Sequence, residues 1–226
     1  MYQSRNSSKR KVIFLGHEFS VEGYQPAADY MPKVDAFVPP TSRKGIQAFL
    51  GLVGYYRQHV PRCADIAEPL TRLTRGNAKI AWETEQQQVF DELKRILKER
   101  IVLHAGNYDW PFELYINASG VALGACLTQG REHIIDFYSR RLTSTEQRYP
   151  AHTLEAFAVC ESILHFKRIL LGHEFVVYTD HKALEHWLRK DPVNDAHGRM
   201  LVKLQDFKFV INYIRGEDNV LADFAS

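Results

Sequence analysis

Four side chains in the second half of this sequence could do phosphoryl chemistry if the fold gathered them: Asn117, Glu155, Asp180 and Asp223. Two divalent ions held roughly 3.5–4 Å apart clamp the attacking and leaving oxygens of an in-line displacement. Hard oxygen ligands, carboxylates above all, suit magnesium. Three of the four are acids, and the fourth is an amide in the place of one. Glu155 is unusual by itself. It heads the row Glu155, Val159, Ile163, Phe166 and Leu170, whose spacing of 4, 4, 3 and 4 puts all five on one helix face. An acid at a core position needs a partner, a hydrogen-bond network or a metal. The other three have plainer readings when taken singly. Asp180 can cap the helix that begins at His181, Asn117 can be a turn residue before Ser119-Gly120, and Asp223 can be a surface acid.

The elements that would position these residues are legible. Phe112, Leu114 and Ile116 alternate with Glu113, Tyr115 and Asn117, the period of a half-buried strand. After a turn at Ser119-Gly120, Val121, Leu123 and Ala125 continue as a second strand, where Gly124 allows close backbone approach. Glu132–Ser139 is a third strand and Thr145–Leu171 a long helix. Phe175–Asp180 is a buried-type strand ending on an acid. Helices are expected over His181–Leu188 and Asn194–Phe207, a strand over Phe207–Tyr213, and a last helix from Val220 to Ala225. Strands alternating with helices in this order define an α/β fold, a hairpin unit followed by parallel crossovers.

The first half reads differently. Lys11–Phe19 is a strand, with Val21 pairing back after a turn. Pro26, Pro32, Pro39 and Pro40 then leave room for one short helix between Ala27 and Phe37. Helices follow from Thr41 or Ser42 to Tyr56, from Ala64 to Leu73, and from Glu83 to Lys98, the last with Thr84 and Gln87 at capping-box spacing. The domain boundary is placed near Ala105, giving a disordered leader at 1–10, a first domain at 11–105 and a second at 106–226. From Thr41 to Arg75, six cations (Arg43, Lys44, Arg57, Arg62, Arg72, Arg75) face two acids, Asp65 and Glu68, and Tyr55 and Tyr56 sit among them. Such a patch suits a nucleic-acid backbone with stacking. It also suits a solvated helical face.

Composition narrows the classes. A net charge of +2 over 226 residues names no partner, so a nucleic-acid surface must be local. Cys63, Cys126 and Cys160 are odd in number and share no metal-type spacing, which points to buried, reduced thiols in an intracellular protein, cytoplasmic or nuclear. No apolar run is long enough to cross a bilayer, so no membrane partner is expected. His181 and His186 are poorly spaced for a shared helical metal site. A P-loop and a serine-hydrolase elbow are both absent.

Several segments together carry a family resemblance. KVIFLGHEFSVEGYQP looks like the end of a reverse-transcriptase palm, IQAFLGLVGYYRQHVPRCADIAEPLTRL like its thumb, and IAWETEQQQVFDELKRIL like its connection helix. YINASGVALGACLTQ, HTLEAFAVCESILHFKRILLG, FVVYTDHKALEHWL and YIRGEDNVLADFAS follow in the order of a ribonuclease H domain. The chain therefore resembles the Pol polyproteins of gypsy-type LTR retrotransposons. The resemblance implies a ribonuclease H-like mixed five-stranded sheet with flanking helices, preceded by a mostly helical segment. It implies two-metal hydrolysis of the RNA strand of RNA–DNA hybrids, with Mg2+ or Mn2+ as cofactor. Hybrid or duplex nucleic acid and other Pol subunits are the implied partners. The family's four catalytic and metal-binding acids fall on Asn117, Glu155, Asp180 and Asp223, so the first is changed from Asp to Asn, which implies impaired cleavage. The polymerase aspartates have no counterpart in this sequence. The rival reading is an inactive Pol relic that binds nucleic acid through Arg43, Lys44, Tyr55, Tyr56 and Arg57 without cutting it.

Overall fold

Proline and glycine punctuation breaks the first half into shorter pieces than its hydrophobic pattern suggests. A computed structural model describes residues 11–75, 80–184, 196–219 and 221. The expectations for the leader, for Asp223 and for most of the helices at His181–Leu188 and Val220–Ala225 lie outside those residues. The single strand expected over Lys11–Phe19 is an antiparallel hairpin of β1 (Val12–Phe14) and β2 (His17–Phe19). Leu15 and Gly16 both take positive φ and turn the chain back. Val21 does not pair; β3 (Tyr24–Pro26) does, after a Ser20–Gly23 turn closed by backbone hydrogen bonds in both directions.

Helix α1 (Met31–Ala36) carries Pro32 in its first turn, where a missing N–H leaves nothing unsatisfied. In α2 (Arg43–Tyr55) the Ser42 hydroxyl accepts the Gly45 N–H and caps the start. The helix expected over Ala64–Leu73 is two, α3 (Cys63–Ile66) and α4 (Glu68–Leu73), because Pro69 can sit only in a first turn. The capping box of α5 (Thr84–Glu99) is Glu83 with Gln86, one residue before the Thr84–Gln87 pair that spacing suggested. Ile46, Phe49, Val53, Tyr56, Leu70, Phe90 and Leu93 form the core of this half.

The second half is a five-stranded sheet of β4 (Phe112–Ala118), β5 (Ala122–Gln129), β6 (His133–Arg141), β7 (Glu174–Thr179) and β8 (Lys208–Tyr213), in the order β6-β5-β4-β7-β8. The first three are antiparallel; β7 lies parallel to β4, and β8 parallel to β7. Parallel neighbours require crossovers. Helices α6 (Ala151–His165) and α7 (Lys167–Leu170) make the first, and α8 (Ala196–Leu204) lies in the second. The helix expected from Thr145 starts only after Pro150, since a residue before proline is pushed out of the α region and Tyr149 is extended. It breaks again at Phe166.

Strand alternation then sorts the sheet into two faces. Leu114, Ile116, Leu123, Ala125 and Val177 pack with Val159, Ile163 and Phe166, the row that Glu155 heads. Fully burying each of these apolar side chains stabilises the fold by roughly 1.5–3 kcal/mol. On the other face Tyr115, Cys126 and Phe137 form a smaller cluster with Leu103 and Ile214. There the first half docks, largely through polar contacts. Arg57 Nη2 donates to the Ser139 carbonyl (2.7 Å), Ala64 N–H donates to Ser139 Oγ (3.1 Å), and His104 N–H donates to the Ile134 carbonyl (2.7 Å). These contacts cover β6, an edge strand whose free backbone groups would otherwise invite mispairing.

Candidate functional site

Glu155 sits in the second turn of α6, 9% exposed, and no hydrogen-bond donor among the described residues reaches its Oε2. Burial chiefly, and the negative charge of Asp180 next, push its carboxyl up to about 7. The two acids are thus electrostatic neighbours although 25 residues and a crossover separate them. Asp180 immediately follows β7, at the carboxyl end of the strand. A Cβ on Gly216 would lie 3.6 Å from Asp180 Oδ2, so the turn at Gly216–Asp218 closes directly against that carboxylate.

Asn117 joins them by register. Tyr115 pairs with Tyr178 across the parallel β4–β7 ladder, and their rings stack at 4.7 Å. Carried on two residues, the same register sets Asn117 level with Asp180 on the same face. Asn117 and Asp180 therefore stand level at one end of the sheet, and Glu155 lies near enough to Asp180 to feel its charge. The chain leading to Asp223 is placed as well. Asn219 is buried, and its Nδ2 donates to the Ile116 carbonyl at 3.3 Å, one residue before Asn117. Asn219 is not among the residues that the sequence singles out. Its signal was an amide between the Gly216 turn and the apolar start of the next helix.

The expected nucleic-acid-binding set does not form one exposed face. Tyr56 is fully buried: with Ile46, Phe49 and Val53 it lies on the inward stripe of α2 and its extension. Its hydroxyl donates to the Gly16 carbonyl, and burial raises it to about 12. Tyr55 is half-exposed and donates to the Leu15 carbonyl. Arg57 holds Ser139. Lys44 is exposed and Arg43 half-buried at the opposite end of α2. Thirteen helical residues put those ends roughly 20 Å apart, so one patch becomes two.

The donor chemistry fits a hard cation. A buried carboxylate oxygen without a donor calls for a proton or a metal ion, and Glu155, Asp180 and the Asn117 carbonyl offer oxygen only. Among the described residues no group of three or more His, Cys, Asp or Glu is close enough to hold a metal.

A mixed sheet with an antiparallel three-strand unit, a buried acid on the first crossover helix and a second acid at the end of the next strand is the ribonuclease H-like fold. Residues 107–207 match the family described as the RNase H-like domain found in reverse transcriptase. The chain is 36% identical over 221 residues to the retrovirus-related Pol polyprotein from transposon 297 of Drosophila melanogaster, with 96% of this chain and 21% of that protein covered. It is 30% identical over 224 residues to the transposon Tf2-3 polyprotein of Schizosaccharomyces pombe, covering 96% and 17%. The chain thus spans about a fifth of the length of these relatives. A foamy viral protease-reverse transcriptase in complex with RNA/DNA hybrid superposes with a TM-score of 0.75 at 21% identity, covering 91% of this chain and 29% of that one. At that identity the likeness bears on the fold. The chain belongs with the Pol polyproteins of gypsy-type LTR retrotransposons, and its second half is their reverse-transcriptase ribonuclease H-like domain.

Proposed function

We propose that this chain binds RNA–DNA hybrid and that the centre at Asn117, Glu155, Asp180 and Asp223 is a hydrolytic site for the RNA strand, strongly weakened by Asn117. Hydrolysis of RNA in hybrids is the family's activity, and a solved neighbour was captured on such a hybrid. The observation that carries the reading is the buried Glu155 carboxylate, whose Oε2 has no hydrogen-bond partner among the described residues and which feels the charge of Asp180. A cation bound there supplies a more acidic water and a counter-charge to the phosphate oxygens. The residues of the chain do the rest. Glu155, buried on the α6 side, would hold the cation and order the attacking water. Asp180, level with Asn117 at the carboxyl end of the neighbouring strand, would hold the cation from beside it. Asn117 keeps a carbonyl oxygen but lacks the negative charge of the family's aspartate, so the site holds cations less tightly.

Magnesium-dependent cleavage of a labelled hybrid should therefore be slow in this chain and rise by roughly 10²-fold or more in Asn117→Asp, the scale of one lost electrostatic stabiliser. Manganese should partly rescue the unmodified chain. Brisk cleavage by the unmodified chain in magnesium would show that position 117 does not need a carboxylate. The second reading, a binder that does not cut, rests on the same Asn117. It holds if Asn117→Asp binds hybrid and stays inert.

A further inference from the structure

The junction between the two halves contains a cleft that neither the carboxylate centre nor the α2 cations explain. A cavity of ≈ 300 Å³ lies between α2, α4 and the end of β6, and three guanidinium groups line it: Arg57, Arg75 and Arg141. Glu68 is the one acid in its lining. The Glu68 carboxylate pairs with Arg141 and, at 3.6 Å, with Arg75. Three cations around one anion leave the cleft with an excess of two positive charges. Such a concavity focuses a positive potential and draws anions. Arginine forks match phosphate oxygens in particular.

The register says where this cleft stands. Asn117 pairs with Gly124, Gly124 pairs with Ser139, and two residues on Ala122 pairs with Arg141. Paired residues share a face, so Arg141 emerges on the same face and at the same end of the sheet as Asn117 and Asp180. Two strand spacings separate β6 from β4 and three separate it from β7, roughly 10 to 15 Å. That is a few nucleotides along a strand whose scissile phosphate lies at the carboxylates. Gly54 lies in the lining, where an added Cβ would meet nothing within 4 Å. The cleft therefore has an open side.

We infer that the cleft formed by Arg57, Arg75 and Arg141 is a phosphate-binding subsite that grips the backbone of a bound RNA–DNA hybrid a few nucleotides from the carboxylate centre. The inference rests on the hybrid-binding reading above, and its test is separate from cleavage. Fluorescence anisotropy of a labelled hybrid is measured against salt for the full chain, for Arg75→Ala, for Arg75→Ala/Arg141→Ala and for Glu68→Gln. Each phosphate contact contributes about 0.9 to the slope of log affinity on log salt. The single variant should lower that slope by about 1. The double variant should lower it by about 2 and weaken binding roughly tenfold. Glu68→Gln gives the opposite sign: it removes the one carboxylate of the cleft and should tighten binding even as it lowers Tm.

A purely structural ion cluster would lower Tm in Glu68→Gln without tightening binding, and that result overturns the inference. So does an unchanged slope in Arg75→Ala, a largely exposed side chain whose removal leaves the fold intact even where Arg141→Ala does not. A parent chain that fails to bind hybrid at low salt overturns it too. Cleavage by Asn117→Asp with unchanged slopes would sink the cleft alone. Altered slopes with no cleavage would sink the hydrolytic reading and keep the cleft.

Discussion

The two faces of the five-stranded sheet are built on different physics. The face against α6 is a continuous apolar core, with Leu114, Ile116, Leu123, Val159, Ile163 and Val177 all closed to solvent. The opposite face is part apolar and part polar. Its small aromatic cluster gives way to the Arg57–Ser139 and Ala64–Ser139 hydrogen bonds and to two displaced titrations. Asp136 on β6 is raised to about 7 by burial, against the pull of the Phe137 N–H, the Gln58 amide and the Arg57 charge. His59 is lowered to about 4, again by burial first, while its Nδ1 lies 2.9 Å from the Ile101 carbonyl. Apolar packing makes one face a fixed scaffold. The other, which carries Asn117, Asp180 and the arginine cleft, is held by groups that answer to pH and to charge.

Three substitutions test that contrast. The largest effect belongs to the scaffold face. Leu114→Ala should cost about 2–5 kcal/mol, the usual range for emptying a fully buried leucine site, and denaturant unfolding reads it directly. A loss under 1 kcal/mol would mean that this face is not the structural keel. On the other face, Asp136 should make stability depend on pH. Its folded pKa stands above its unfolded one, so the protonated acid favours the folded state. The associated stability is full below about 4 and lost as pH rises through about 7, by at most about 1.4 kcal/mol per pH unit. Asp136→Asn should flatten that part of the curve. An Asn variant with an unchanged pH profile would place the titration elsewhere. The smallest effect is Ser139→Ala, which removes the acceptor of the Ala64 N–H and should cost about 1 kcal/mol. Limited proteolysis between the halves should quicken in this variant.

The strands, the crossover order and the burial of Glu155 were legible because a period of two and a period of 3.6 both survive in the sequence. The meeting of Glu155 with Asp180 was legible as well, since both occupy element ends that the crossover must bring together. Tyr56 was misplaced among surface cations, although its spacing continues the apolar stripe of Ile46, Phe49 and Val53. Its basic neighbours drew attention from its own period. The β1–β2 turn was hidden because Leu15 takes a left-handed conformation that few leucines adopt. Nothing local announces that. The arginine cleft was invisible for another reason: Arg57 and Arg75 belong to one basic stretch, but Arg141 lies far along the chain from both. They meet only after β6 is seated against the helices.

The Asn219–Ile116 hydrogen bond spans 103 residues of sequence. Closing so long a loop is among the slower steps of folding, because the chain entropy is lost before the contact is made. The segment that follows β8 is therefore fixed against β4 only when β8 has already been laid down beside β7. A growing or half-folded chain has the hairpin of β4 and β5 early, but no assembled cluster of acids. The amide of Asn219 thus ties the chain that follows β8 back to β4 only once the sheet is complete.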